Sequence, residues 1–389
     1  MATIHHPELG KFRVTSTKGV IQFLGVKYAT LRNRFGEPVL HNGAGASSDN
    51  VATEQGPCCI NAPDACEREF DLIQQKLPLD AEFQMSDTEC LRLNITTPEV
   101  QALRPLPVLV FVHGGALRTG SGTWPQYDFR SLVMQSVQVG SPFIGVSMNY
   151  RTSIFGFLTS VELRAAGFKP NSGLRDQKVA FEWIQKYIQG FGGDPSQATA
   201  LGQSAGGASL TLLLQSEEAL FQHLVIMSGT CLLLRPVSGE VHEAIYQEFC
   251  EAQGLDKMPG QERIKAIEEL DSFHLFSNTP PSIPPLPMID GDIVKVALTF
   301  DDIEQWSTHG SSSIPGLGWC KELLIGDCQM DGHIYQLALN HRKRGIARAF
   351  EESLKRSCSH QDDAVISLFS DYQINESISD DDAFWNIPT

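Results

Sequence analysis

Short, apolar, β-branched runs alternating with longer helix-spaced stretches predict an α/β fold with a mostly parallel central sheet and helices on both faces. Three observations carry that expectation. Runs such as "PVLVFVH" (Pro107–His113) and "PFIGVSMNY" (Pro142–Tyr150) are apolar without alternation, as strands buried on both faces are. In "SGLRDQKVAFEWIQKYIQGFGG" the apolar residues Ala180, Trp183, Ile184, Tyr187 and Ile188 recur at helical spacing. With 389 residues, 42% of them hydrophobic, the chain is long enough to bury a large core.

Taken in order, "VIQFLGVKY" (Val20–Tyr28) reads as a strand entering a turn, and Pro107–His113 and Pro142–Tyr150 as sheet-centre strands. The helical stretch that follows ends at Gly190 and Gly192-Gly193. Ala198–Leu201 reads as a strand, Gly202–Gly206 as a turn and Gly207–Gln215 as a helix. "LVIMS" (Leu224–Ser228) and "ELLIGD" (Glu322–Asp327) are two more strands. The proline-rich Ser277–Asp292 is expected as a surface excursion, with apolar periodicity resuming after it. A single domain over residues 1–389 is therefore expected.

Thirty Lys and Arg against 46 Asp and Glu give a formal charge of −16, which argues against a nucleic-acid partner. The short basic run His341–Arg344 reads as a solvated helix face. No apolar stretch reaches membrane-spanning length, and the N-terminus "MATIHHPELGKFRV" lacks the basic start and apolar core of a leader. These features lead to the expectation of a soluble, cytoplasmic protein. The nine cysteines form neither a dense disulfide framework nor a zinc-spaced set, and no motif calls for a metal, nucleotide or flavin cofactor.

The chemistry is expected at Gly202-Gln203-Ser204-Ala205-Gly206. A serine on a sharp strand-to-helix turn needs small neighbours, and there its hydroxyl stands clear of the sheet. A bare match of this kind also occurs in ordinary Gly/Ser loops, and the strand before and helix after it make it informative. Upstream, "HGGALRTGSG" (His113–Gly122) offers a glycine loop at a strand end. The N–H groups of Gly115, Ala116 and Ala205 are the candidate donors to an oxyanion, each such donor contributing roughly 3 kcal/mol to a transition state.

These residues resemble a family, the type-B carboxylesterases and cholinesterase-like lipases of the α/β-hydrolase fold. The likeness runs in order through "VIQFLGVKYATLRNRFGEP", "DTECLRLNITTP", "FVHGGAL", "MNYRTSIFGFL", "NSGLRDQKVAFEWIQKYIQGFGGDP", "GQSAGGASL" and "MSGT". It implies a serine ester hydrolase with Ser204 as nucleophile, Gly115, Ala116 and Ala205 lining the oxyanion hole, and a small-molecule ester as substrate. It also implies a pairing of Cys59 with Cys90, as a disulfide or as neighbouring thiols. The formal sequon at Asn94 sits in a strand-like run and carries little weight.

For the acid the resemblance points to "LLIGDCQMDG", where Asp331-Gly332 stands in place of the usual Glu-Gly; Asp327 is the reserve, and Asp-Gly is also an ordinary turn pair. The base is harder to place. After Asp331 come His333, His341 and His360, none in the family's surroundings for a catalytic histidine, with His360 in "SCSHQDD" the best of them. "SDDDAFWNIPT" resembles a family segment that precedes the histidine, which implies that the family's last strand and closing helix lie beyond this sequence. His113 and His223 are expected to be structural. The other reading is a catalytically inactive hydrolase fold that binds a ligand or protein partner.

Overall fold

The β-branched centre of the sequence builds the centre of the sheet. In this computed structural model the described residues are 2–43, 49–79, 82–100, 103–299, 302, 314–329, 331–335, 340–357, 362–375 and 378–386. They form two compact units, Met1–Ile325 and Gly326–Thr389.

The strands are β1 (Ala2–His6), β2 (Gly10–Thr17), β3 (Val20–Lys27), the short pair β4 (Ala29–Thr30) and β5 (Val39–Leu40), β6 (Asp49–Ala52), β7 (Arg92–Pro98), β8 (Leu106–Val112), β9 (Ile144–Met148), β10 (Gly193–Gln203), β11 (His223–Met227) and β12 (Glu322–Gly326). The main sheet runs β1-β2-β3-β7-β9-β8-β10-β11-β12, with β6 beside β2. Its first half is antiparallel, from β1 through β9. The pairs β9–β8, β8–β10 and β10–β11 are parallel. Every residue of β9 is buried, as a sheet covered on both faces requires.

Helix α1 (Ala65–Ile73) and helix α2 (Arg130–Gln138) precede β9, and α3 (Ser153–Phe157), α4 (Val161–Ala165) and α5 (Ser172–Tyr187) follow it. The expected periodicity of α5 is its buried face: Ala180, Trp183, Ile184 and Tyr187 all lie inside. After β10 come α6 (Ala205–Leu213), α7 (Gly239–Ala252), α8 (Gly260–Glu269) and α9 (Ser272–Ser277). Helix α6 starts two residues earlier than its sequence suggests, because the chain reverses at Ser204 alone, with no further linking residue.

Two other expectations are modified. The proline-rich Ser277–Asp292, expected as a surface excursion, is also anchored inward: Ile283 and Met288 are buried, and Asn171 bonds both the N–H and the C=O of Met288. In the second unit the basic run is solvated but only partly helical, with a short turn at Asn340–Arg342 before the helix Ile346–Ser357. Lys343 there pairs with Asp381 at 2.6 Å. Among the described residues no helix is long and apolar enough to cross a membrane.

One charged knot lies inside the first unit. Arg151 and Asp176 are both fully buried and joined at 2.7 Å, and Arg151 also donates to the carbonyls of Arg34 and Gly36. Two charges out of water persist only when their hydrogen-bonding capacity is met, and here three chain segments meet it.

Candidate active site

The register of the parallel strands brings their C-terminal ends to one edge. Val112 stands beside both Met148 and Gly202, and Gln203 beside Met227. The segments that leave there are the glycine loop after β8, the turn after β10 and Ser228-Gly229 after β11, the place where open α/β sheets hold their sites.

Ser204 forms the turn between β10 and α6 with φ 52° and ψ −121°, a conformation that L-residues avoid. Its N–H donates to Met227 O at 2.8 Å, tying the turn to β11. Gly206 is needed because α6 crosses the end of β8 so closely that a Cβ there would strike the Val112 carbonyl oxygen. The serine is half-exposed, whereas Ala205 is buried behind it.

The glycine loop faces this turn. A Cβ placed on Gly114 would lie 3.1 Å from the Ser204 Cβ. Gly115, Ala116 and Leu117 follow with φ of 93°, 54° and 59°, three consecutive left-handed residues. Among the described residues no hydrogen bond takes the N–H of Gly115 or Ala116. Ala205 opens α6, where the first N–H groups have no intrahelical acceptor.

The loop's shape is fixed from beneath. Asn61 accepts from Gly120 N and Thr119 Oγ1 and donates to the carbonyls of Gly120 and Cys59. Asn149 accepts from Gly122 N at 2.8 Å and Ser121 Oγ at 2.9 Å. The Tyr150 hydroxyl donates to His113 O at 2.8 Å. Neither Asn61 nor Asn149 stood out in the sequence. Their role depends on loops meeting in space, and the signal for Asn149 was only its place in "MNYR" at the end of a buried run.

His113 is buried and its ring stacks on Tyr150 at 4.3 Å. Nδ1 lies 3.0 Å from Gly114 O and so carries the proton, while Nε2 is buried with no partner among the described residues. Burial pushes its pKa down to about 4, against a smaller upward pull from the Gly114 carbonyl. It is a neutral ring at pH 7. His223 sits at the start of β11, 3.5 Å from Thr199 Oγ1, at the end of the sheet opposite to Ser204.

Cys59 and Cys90 are both buried and free. Their thiols share a hydrogen bond, which together with burial raises Cys90 well above the usual thiol range. Asn94 is buried in β7 with its Oδ1 accepting from Gly25 N at 2.9 Å, so its amide serves the sheet.

Asp331 belongs to the second unit, in the turn Asp331–Tyr335, where its N–H donates to Cys328 O at 3.1 Å. Asp327 is exposed. His333 shares that turn, and His341 is exposed on the turn at Asn340–Arg342. His360 lies outside the described residues. Among the described residues no cluster of three or more His, Cys, Asp or Glu side chains is arranged to hold a metal ion.

A sheet of this order, with a strained serine between a strand and a helix at its parallel C-terminal edge, defines an α/β-hydrolase fold. The fold matches a thermophilic PNB esterase with a TM-score of 0.69 at 25% identity, over 85% of this chain and 64% of that one. Residues 9–380 match the model of the carboxylesterase family, and the chain belongs to that family. Lipase 3 of Yarrowia lipolytica is 30% identical over 336 residues, 82% of this chain and 60% of that protein. Lipase 5 of Diutina rugosa is 30% identical over 387 residues, 91% of this chain and 66% of that protein. The chain thus spans less than two thirds of the length of either lipase.

Proposed function

We propose that the protein hydrolyses carboxylic esters through an acyl-enzyme on Ser204. The observation that carries this reading is the backbone of Ser204 itself, held at φ 52° against a glycine loop whose Gly115 and Ala116 N–H groups are taken by no hydrogen bond among the described residues. A strained conformation of this kind costs on the order of 1–3 kcal/mol and persists where the surroundings enforce it, typically at sites of chemistry.

In the reaction, Ser204 Oγ attacks the ester carbonyl and the negative charge moves to the carbonyl oxygen. The N–H groups of Gly115, Ala116 and Ala205 donate to that oxygen, favouring the tetrahedral state over the planar ester. An imidazole takes the serine proton and returns it to the leaving alcohol; water then repeats the sequence to release the acid. His360 is our candidate for that base and Asp331 for the carboxylate that orients it. The names of the relatives, lipases and a PNB esterase, support an ester as the substrate class.

The test is steady-state hydrolysis of p-nitrophenyl butyrate by this chain beside Ser204→Ala and His360→Ala. Removing the nucleophile should cost about 10⁶ in kcat, while a residue of roughly 10³–10⁴ over water can survive from binding and the oxyanion hole. A wild-type rate no higher than that of Ser204→Ala would overturn the reading and favour a ligand-binding role for the fold. A rate that survives in His360→Ala would remove only that residue from the mechanism.

A further inference from the structure

The geometry points to Arg118 as a positioning residue that clamps the glycine loop in its oxyanion-binding shape by gripping the proline-rich segment. This rests on the reading of Gly115 and Ala116 as oxyanion donors and adds the element that holds them.

Three successive left-handed residues do not hold themselves. Gly115 adopts such angles freely, but Ala116 and Leu117 do so under strain and relax once the loop is released. Leu117 is anchored by its buried side chain and by Ser153 N–H, which donates to its carbonyl at 2.7 Å. Ala116 is exposed. The next residue, Arg118, closes the turn with its N–H on Gly115 O at 2.9 Å. Its guanidinium reaches out of the loop: Nη2 donates to Pro281 O at 3.0 Å and to Ile283 O at 2.6 Å.

The receiving segment is built to be gripped. Ile283 N–H donates to Pro280 O, which folds 280–283 into a turn presenting two carbonyls to one nitrogen. Pro280, Pro281, Pro284 and Pro285 contribute no N–H and little backbone freedom, so this stretch loses little entropy in holding its shape. Beyond the turn the segment is fastened again, Val237 N–H to Pro287 O and Ile289 N–H to Val237 O, with Asn171 bonding Met288 on both sides. A charge-assisted donor pair on a fixed acceptor pair is a stronger restraint than neutral hydrogen bonds of the same length. Lysine offers a point charge on a flexible stem where arginine offers a planar fork.

The experiment uses Arg118→Ala and Arg118→Lys in the full chain with two readouts. Amide exchange over 115–120 reads the clamp, and kcat and KM on p-nitrophenyl butyrate, with Ser204→Ala as the baseline, read its consequence. We expect exchange in Arg118→Ala to quicken by about 10-fold or more, because the Arg118 and Thr119 amides lose the turn that protects them. Ser204-dependent kcat should fall by about 10–100-fold with KM changed less than about threefold, as a small misplacement of positioned groups does. Arg118→Lys should recover part of both, with global unfolding unmoved.

Unchanged exchange in Arg118→Ala overturns the clamp, whatever the rates. Faster exchange with unaltered Ser204-dependent kcat overturns the positioning role. A wild-type rate equal to that of Ser204→Ala is a different failure: it removes the ester-hydrolase reading and the catalytic role with it, while exchange still decides whether Arg118 holds the loop.

Discussion

His113 is held neutral by burial, and that makes it a source of pH dependence. Its folded pKa of about 4 lies below the ordinary histidine value near 6.5, so between these two pH values the unfolded chain binds a proton that the folded chain refuses. The stabilisation is fully present above pH 6.5 and is lost as pH falls towards 4, about 3 kcal/mol over the whole window. His6 and His242 are lowered in the same direction by burial. Urea melts from pH 4.5 to 7.5 should therefore show stability rising with pH, and His113→Phe, which keeps a ring against Tyr150, should flatten that rise. An identical slope in the variant would show that His113 does not contribute. Ser204, Gly115 and Ala205 could be read as candidates from the sequence because the constraint on each is local: a sharp turn needs small neighbours. Asn61 and Arg118 could not, since each acts across a distance in sequence of more than fifty residues.

The strand, turn and helix around Ser204 are one mechanical unit, and their boundaries follow from how closely α6 crosses β8. The central strands and α5 were legible because a β-branched run buried on both faces, or an apolar stripe at helical spacing, leaves a strong pattern. The N-terminal β1 and β2 were not, being a half-buried antiparallel pair near a sheet edge whose alternation is short and interrupted. For Gly206→Ala, the added methyl must displace the Val112 carbonyl or push the helix away. We expect a loss of about 1–3 kcal/mol in a denaturant melt, as overpacking commonly gives, together with loss of Ser204 reactivity towards a fluorophosphonate probe. Native-like stability and labelling in this variant would mean that the crossing is looser than the backbone implies.

Across the molecule, the last strand of the sheet among the described residues is β12, where Leu323, Leu324 and Ile325 are 47%, 65% and 55% exposed. A strand carrying three exposed aliphatic side chains is an invitation to pair with another chain. Light scattering at tens of micromolar should show self-association that Leu324→Lys reduces; equal, monodisperse scattering from both proteins would refute this. The resemblance gave Ser204 and the glycine loop in family order but left the acid and base open: Asp331-Gly332 stands in place of the usual Glu-Gly, and none of the histidines after it has the family's surroundings. The contact between the Ser204 turn and the glycine loop has a further consequence. The candidate donors beside Ser204 are main-chain N–H groups, which every residue but proline carries, so a substitution in the loop can change a side chain without deleting a donor. On the ester-hydrolase reading proposed above, substrate preference can then change through the side chains of the surrounding loops while the donors stay in place.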